Sequence, residues 1–181
     1  YSFGLERFQK RGKTGINFEG HKNQIGVFHN PIATVIDGQF LNTLTDAQIV
    51  DGLGEIIKCG FIKDSSILKL LQGKSFADLR KGNLLATLAR KALMVKKLYV
   101  TKDPRDKNVR NFLNVGHTVG HAVELAYGLS HGEAVLVGML KELEIGERMG
   151  VTKPGTQARL DKLLGDLGIV QNRKYIVQVE S

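Results

Sequence analysis

The stretch "TDAQIVDGLGEIIKCGFI" (residues 45–62) marks the point from which the sequence pattern becomes helical. Thr45 and Gln48 have the spacing of a capping box, in which each side chain accepts a hydrogen bond from the backbone N–H of the other residue. Apolar residues then recur at helical spacing: Ile49, Leu53, Ile56 and Ile57. The stretch therefore predicts an amphipathic helix that begins next to Thr45.

Helical patterns continue along most of the chain after this stretch. They predict further helices over residues 65–72, 83–100, 110–127, 131–149 and 156–167. The first thirty residues are polar and glycine-rich and predict loops, while "IATVID" (Ile32–Asp37) and "KYIVQVE" at the C-terminus are strand candidates. We expect a mainly α fold with short β elements, divided into an arm over residues 1–30 and a helical domain over residues 31–181.

Composition limits the classes of function. The net charge is +8, but the basic residues are dispersed, which favours small anionic ligands such as phosphates and carboxylates over nucleic acid. No apolar run reaches the roughly 18 residues of a membrane span, and the basic N-terminal stretch does not resemble a signal peptide. The single cysteine, Cys59, predicts a small core residue and a reducing, cytoplasmic location.

A second stretch, "RNFLNVGHTVGHAVE" (residues 110–124), raises the question of a metal site. On a helical period one face carries five polar residues: Arg110, Asn114, His117, His121 and Glu124. A water-facing surface is one interpretation, although His and Asn are unusual there. Gly116 and Gly120 would each cost about 1 kcal/mol inside a helix, which predicts a close neighbour, either a helix or a ligand.

Histidines four residues apart can bind one metal ion, as in zinc proteases. Thr118 stands where those proteases carry their general base, so that function is not expected. His131, at a predicted helix start, and Glu55, in an apolar context, are further candidate ligands, although Glu55 could instead pair with Lys58. Two histidines and a carboxylate leave open coordination positions, as in catalytic sites for zinc or another divalent metal.

Four blocks of sequence resemble the 3-dehydroquinate synthase family of sugar phosphate cyclases. They are "GKTGIN" with "KNQIGVFHNP", "GLGEIIKCGFIKD", "RNFLNVGHTVGHAVE" and "LSHGEAVLVGM". Their order and spacing are also similar to the family's, and the resemblance covers roughly residues 12 to 168. It implies the helical metal-binding domain of an α/β plus α fold.

The resemblance also implies site residues. The metal ligands would be Glu55, His117 and His131, so that His121 would contact substrate and would not be a ligand. The other residues implied to bind substrate are Lys58, Lys96, Arg110, Asn114 and Asn23. Those implied to lie near NAD are Lys13, Lys22 and "FLNT" (Phe40, Leu41, Asn42 and Thr43).

The implied activity is that of an NAD- and metal-dependent lyase of the shikimate pathway, which leads to chorismate and aromatic amino acids. A phosphorylated seven-carbon keto acid loses phosphate and closes to 3-dehydroquinate, while NAD is reduced and regenerated within the cycle. The metal would be zinc or cobalt. The family commonly forms homodimers, so a homodimer is an expected assembly.

The sequence departs from the family pattern at both ends. No NAD-binding domain precedes "GKTG", Arg7 and Arg11 replace an expected Asp and Gly, and His21 replaces a glycine. A family loop that carries a lysine near the C-terminus is not recognisable. The chain is therefore expected to be an excised metal-binding half with an arm left from the NAD-binding half, or to work with a separate cofactor-binding chain. In both cases we expect little turnover from the chain alone.

Three other functions are compatible with parts of the pattern. Another sugar phosphate cyclase, of the inosose or valiolone type, would use the same metal ligands and NAD. Arg110 with Lys96 favours a substrate that bears a carboxylate, which those sugar phosphates lack. A metal-dependent alcohol or glycerol dehydrogenase shares the helical domain but not the lysine and arginine set, and a non-catalytic helical domain with a vestigial metal site is the third alternative.

Overall fold

The computed structural model describes residues 12–13, 16–19, 21–26, 28–29 and 37–169. Four short strands come first: β1 (Gly12–Lys13), β2 (Ile16–Phe18), β3 (His21–Ile25) and β4 (Phe28–His29). β1 pairs antiparallel with β4, and β2 pairs antiparallel with β3.

These strands correct the prediction that the first thirty residues form loops. The strands are only two to five residues long, too short to show a period in the sequence, and Ile16, Phe18 and Ile25 are all more than half exposed. The predicted strand over Ile32–Asp37 and the one at the C-terminus lie outside the described residues, apart from Asp37 itself.

Seven α-helices follow in the described part of the chain. They are α1 (Asp46–Ile62), α2 (Ser66–Leu71), α3 (Phe76–Leu79), α4 (Leu84–Lys102), α5 (His117–Tyr127), α6 (His131–Arg148) and α7 (Thr156–Leu167). Short 3₁₀ helices cover Gly38–Thr43 and Val109–Asn114. The mainly α prediction is confirmed. The predicted start of α1 and the predicted bounds of α2, α4, α6 and α7 are confirmed to within two residues. Helix α3 and the first 3₁₀ helix are too short to show a period.

Helix α1 begins as predicted, because Thr45 and Gln48 form both hydrogen bonds of the capping box. It lies at the centre of the core, in contact with α2, α4 and α6. Every residue from 51 to 60 is buried, including Glu55 and Lys58, so α1 has no water-facing side there. Cys59 is a fully buried core residue, as predicted, and burial raises the pKa of its thiol to about 11.

The chain does not form one helix over residues 110–127, and that prediction is wrong. The 3₁₀ helix ends at Asn114, and Gly116 adopts a left-handed conformation with φ of 82° before α5 begins at His117. The apolar pattern runs through this break, so periodicity does not reveal it. Gly116 is the N-cap of α5 and not an interior residue. The free-energy cost of placing a glycine inside a helix therefore does not apply to it.

The predicted close neighbour of this glycine pair is confirmed and is helix α6. A Cβ added to Gly120 would lie 2.9 Å from the carbonyl oxygen of Ala134. The crossing of α1 and α6 is equally close, because a Cβ on Gly54 would overlap the backbone of Gly132. This crossing brings the next residue of α1, Glu55, beside the first residue of α6, His131.

Helix α5 packs on α6, and α7 packs on the other end of α6. None of the helices in the described part of the chain has the length and apolar character needed to cross a membrane.

Candidate functional site

Glu55 is the centre of a buried charged cluster. Its side chain is 3% exposed, and one carboxylate oxygen lies 2.8 Å from Nζ of Lys58 while the other lies 2.9 Å from Nζ of Lys96. Lys58 is one turn away on α1, and Lys96 comes from α4. The intrahelical ion pair between Glu55 and Lys58 therefore forms, but it belongs to a cluster that also includes Lys96.

The electrostatics of this cluster keep Glu55 ionised. Burial by itself would raise the pKa of Glu55, but the ammonium groups of Lys96 and Lys58 outweigh it and hold that pKa well below its ordinary value. Burial also lowers the pKa of Lys58, a tendency that the charge of Glu55 opposes. Two cations around one anion leave the cluster with an excess positive charge, which suits an anionic ligand.

Two histidines face the same carboxylate oxygen that Lys58 contacts. Nε2 of His117 lies 3.5 Å from Oε1 of Glu55, and Nε2 of His131 lies 3.9 Å from it. The side chains are 14% and 22% exposed, so the group lies at the edge of the core with access from outside. One ligand atom from each of Glu55, His117 and His131 lies within 4.8 Å of the others.

The outer nitrogens of both histidines have acceptors, which fits a metal site. Nδ1 of His117 lies 3.3 Å from the carbonyl oxygen of Val115, and Nδ1 of His131 lies 3.3 Å from a carboxylate oxygen of Glu124. With the proton on Nδ1, a neutral imidazole presents the Nε2 lone pair to a cation. Burial, followed by the charge of Lys58, lowers the pKa of His117 to about 4, which favours the neutral form that binds metals.

His121, Glu124 and His131 form a second group with ligand atoms within 4.8 Å of one another. The ring of His121 lies 5.3 Å from that of His117 and 6.1 Å from that of His131. Since Nε2 of His131 faces Glu55, the carboxylate on its Nδ1 has the position of the partner that usually orients a ligating imidazole. We therefore interpret Glu124 as the group that orients His131, and His121 as a neighbour at the open side.

The start of α6 is fixed by α1 as well as by its own cap. Ser130 and Glu133 form a capping box, and a carboxylate oxygen of Asp51 accepts a hydrogen bond from the N–H of Gly132. Asp51 is buried one turn before Glu55 on α1. The same helix thus supplies Glu55 and holds the backbone next to His131.

Arg110 and Asn114 do not share a helix face with His117, in contrast to the predicted polar stripe. They lie on the 3₁₀ helix, which packs against α1 and α4. Arg110 is buried and donates to the carbonyl oxygen of Pro104 at 3.3 Å, whereas Asn114 is exposed. A buried carboxylate, Asp103, accepts hydrogen bonds from the N–H groups of residues 107, 108 and 110 and so organises this turn.

The residues that the resemblance implies for NAD lie on the early elements. Lys13 is on β1, and Lys22 is on β3 with the implied substrate residue Asn23. Phe40, Leu41, Asn42 and Thr43 lie on the first 3₁₀ helix, where Phe40 is 60% exposed. Their roles remain predictions.

Three carboxylates that shape the site were missed by sequence reasoning: Asp51, Asp103 and Glu142. Asp51 accepts a hydrogen bond from one backbone N–H of another segment, and Asp103 and Glu142 each accept from three N–H groups. Only Asp103, which lies beside Pro104 at the end of a predicted helix, carries a turn signal that could have revealed it. Asp51 and Glu142 accept hydrogen bonds from residues that are far away in the sequence, so no local pattern indicates them.

Comparison with protein families gives two matches. Residues 52–180 match the family described as 3-dehydroquinate synthase C-terminal, and residues 11–51 match 3-dehydroquinate synthase N-terminal. The 3-dehydroquinate synthase of Corynebacterium diphtheriae is 41% identical over 160 residues, which cover 87% of this chain and 45% of that protein. The 3-dehydroquinate synthase of Dictyoglomus thermophilum is 36% identical and is matched over 92% of this chain and 48% of that protein.

Two solved structures are similar in fold. The first, 2-epi-5-epi-valiolone synthase from Streptomyces hygroscopicus with NAD⁺ and Zn²⁺ bound, has a TM-score of 0.80 and 27% identity over 92% of this chain and 48% of that one. The second, 2-deoxy-scyllo-inosose synthase with carbaglucose-6-phosphate, NAD⁺ and Co²⁺, has a TM-score of 0.77 and 25% identity over 93% and 48%. The chain spans about half the length of the relatives it matches.

Proposed function

This chain belongs to the 3-dehydroquinate synthase family, and on that premise we propose that it is the metal- and substrate-binding half of a 3-dehydroquinate synthase. The reaction would convert a phosphorylated seven-carbon keto acid to 3-dehydroquinate and phosphate. The proposal depends most on one observation, the convergence of Glu55, His117 and His131 from three helices onto one point.

The three residues would hold a divalent zinc or cobalt ion. The donor set is a carboxylate and two imidazoles, and both outer imidazole nitrogens already have acceptors. The resemblance to enzymes that bind NAD⁺ with Zn²⁺ or Co²⁺ supports this choice of ligands. When bound, the metal would polarise substrate oxygens and lower their pKa, and NAD would serve as hydride acceptor and donor.

The chain's own residues would bind and orient the substrate. Lys58 and Lys96 each use one N–H on Glu55 and have two more donors, so they can hold an anionic group next to the metal. His121, at the open side of the site, would contact the substrate. Arg110, Asn114 and Asn23 complete the proposed substrate set, and Lys13, Lys22 and residues 40–43 the proposed NAD contacts.

Dehydroquinate synthesis differs from the reactions of the valiolone and inosose synthases in that its substrate carries a carboxylate. Relatives named 3-dehydroquinate synthase are 36–41% identical to the chain, against 25–27% for the valiolone and inosose synthases. Lys96 with Arg110 supplies two cations for a substrate with a carboxylate as well as a phosphate. Both observations favour dehydroquinate synthesis.

Metal binding tests the ligand assignment directly. The purified 181-residue chain is expected to bind one Zn²⁺ or Co²⁺ in equilibrium dialysis. Glu55→Ala, His117→Ala and His131→Ala should each abolish stoichiometric binding, because each removes one of three protein ligands. His121→Ala is the matched control, since it removes a histidine from the same cluster and should retain the metal.

Three outcomes would contradict the proposal. If the His121 variant lost the metal and the Glu55 variant kept it, the group of His121, Glu124 and His131 would be the site. A chain that binds no divalent metal would favour a non-catalytic helical domain. Weaker binding of the seven-carbon keto acid phosphate than of a sugar phosphate without a carboxylate would favour the other cyclases.

A further inference from the structure

The start of α5 depends on a carboxylate from another helix. Its N-cap, Gly116, has no side chain to cap the helix, and Glu142 of α6 takes that role. One oxygen of Glu142 accepts from the N–H of Gly116 at 2.7 Å, and the other accepts from the N–H groups of Thr118 and Val119 at 3.1 and 3.4 Å. His117 is the first residue of this helix.

The same peptide group connects Glu142 with the His117 ring. The N–H of Gly116 and the carbonyl of Val115 are the two ends of one planar peptide unit. Glu142 binds the N–H end, and Nδ1 of His117 lies 3.3 Å from the carbonyl oxygen at the other end. A carboxylate on the N–H polarises the carbonyl and makes it a better acceptor for the imidazole proton.

Helix α6 also limits where this peptide can lie. A Cβ on Gly116 would lie 2.6 Å from the carbonyl oxygen of Val135 and from Cγ of Met139, and a Cβ on Gly138 would overlap the carbonyl oxygen of Gly116. Gly138 and Glu142 are four residues apart on α6 and so share a face. One face of α6 therefore supplies both the close packing and the carboxylate.

We propose that Glu142 is a positioning residue that holds the imidazole of His117 in its ligand orientation through the Val115–Gly116 peptide. This rests on the proposed function, in which His117 is a metal ligand. Glu142 fixes the peptide, the peptide carbonyl fixes the Nδ1 proton, and Nε2 is thereby directed to the side of Glu55.

The chain contains a matched control for the capping part of this role. Helix α7 also begins after a left-handed glycine, Gly155, and its N–H groups are also bound by a glutamate of α6. The oxygens of Glu147 accept from Gly155 and Gln157 at 3.1 and 2.6 Å. Both glutamates cap the start of a helix, but only the helix capped by Glu142 begins with a histidine.

The test compares Glu142→Gln with Glu147→Gln in the full chain. We expect both variants to keep the helical circular dichroism spectrum. Glu142→Gln should weaken Zn²⁺ binding about 10–100-fold, the range for loss of an outer partner of a ligand, and should change the visible absorption of bound Co²⁺. Glu147→Gln should bind Zn²⁺ within about twofold of the wild type and leave the Co²⁺ spectrum unchanged.

A measurement without metal separates this inference from the proposed function. Nitrogen chemical shifts of the imidazoles should show His117 with its proton on Nδ1 in the wild type and in Glu147→Gln, and a mixture of tautomers in Glu142→Gln. Unchanged tautomer and metal affinity in Glu142→Gln would overturn the inference and leave the metal assignment standing. Absence of metal binding in the wild type, together with an unchanged tautomer in Glu142→Gln, would overturn both.

Discussion

Helices α5 and α7 begin in the same way, with a left-handed glycine whose N–H is bound by a glutamate, and they differ in the residues around that glycine. Each N-cap is a glycine with φ of 82°, and each is bound by a glutamate of α6 through its own N–H and the N–H two residues on. At α5 the first residue is His117, whose ring faces buried Glu55. At α7 it is Thr156, whose hydroxyl donates to the carbonyl of Lys153.

The comparison distinguishes the features that begin a helix from the features that also create a candidate metal site. A glycine and a distant carboxylate are sufficient to begin a helix, since they satisfy N–H groups that have no partner within it. The α5 start becomes a candidate metal site because the crossing of α1 with α6 places Glu55 and Lys58 nearby, and α4, which packs on α1, adds Lys96.

Removal of the buried charge near α5 should cost the most stability. In the metal-free chain, Glu55→Ala should lower the free energy of unfolding by about 3–5 kcal/mol, because it leaves two buried ammonium groups without their anion. Asp166→Asn on α7 is the control, since it breaks an ion pair in which the Lys162 side chain is 75% exposed and should cost at most about 0.5 kcal/mol. Urea denaturation measures both, and equal losses would contradict the distinction.

The two N-cap glycines should respond differently to alanine. Both substitutions force a left-handed backbone on an L-residue, at about 1–2 kcal/mol. Gly116→Ala should lose about 1–3 kcal/mol more, because its Cβ would press on α6 at Val135 and Met139. A Cβ on Gly155 has nothing within 4 Å, so Gly155→Ala should show the backbone cost alone. Thermal unfolding that ranks the two variants equally would refute this packing argument.

The smallest effect is a pH dependence at α7. Hydrogen bonds from the N–H groups of Gln157, Gly155 and Thr156 lower the pKa of Glu147 from its ordinary value of 4.5. A lowered carboxyl pKa contributes stability above the unfolded value, and that contribution is lost as the pH falls through the folded one. The melting temperature of Glu147→Gln should therefore lie below that of the wild type at neutral pH, and the difference should shrink as the pH falls below 4.5. A difference that does not change with pH would show that the charge is irrelevant there.

Much of the helical fold follows from local patterns in the sequence. The capping box at Thr45 and Gln48 and the apolar spacing after it predict α1, and similar patterns predict α2, α4, α6 and α7. The prediction fails at residues 110–127 because the apolar period continues across Gly116, whose left-handed backbone depends on contact with α6. It also fails for the strands, which are only two to five residues long and so too short to show a period.

Most of the helices can be predicted from local sequence, because capping and amphipathic spacing act between residues a few positions apart. Which charged groups come into contact depends instead on how the helices pack. Glu142 bonds an N–H 26 residues away, and Lys96 reaches Glu55 from another helix. The first contact depends on how closely α5 and α6 cross at their glycines, and the second on the packing of α4 against α1. A pattern among neighbouring residues does not contain either distance.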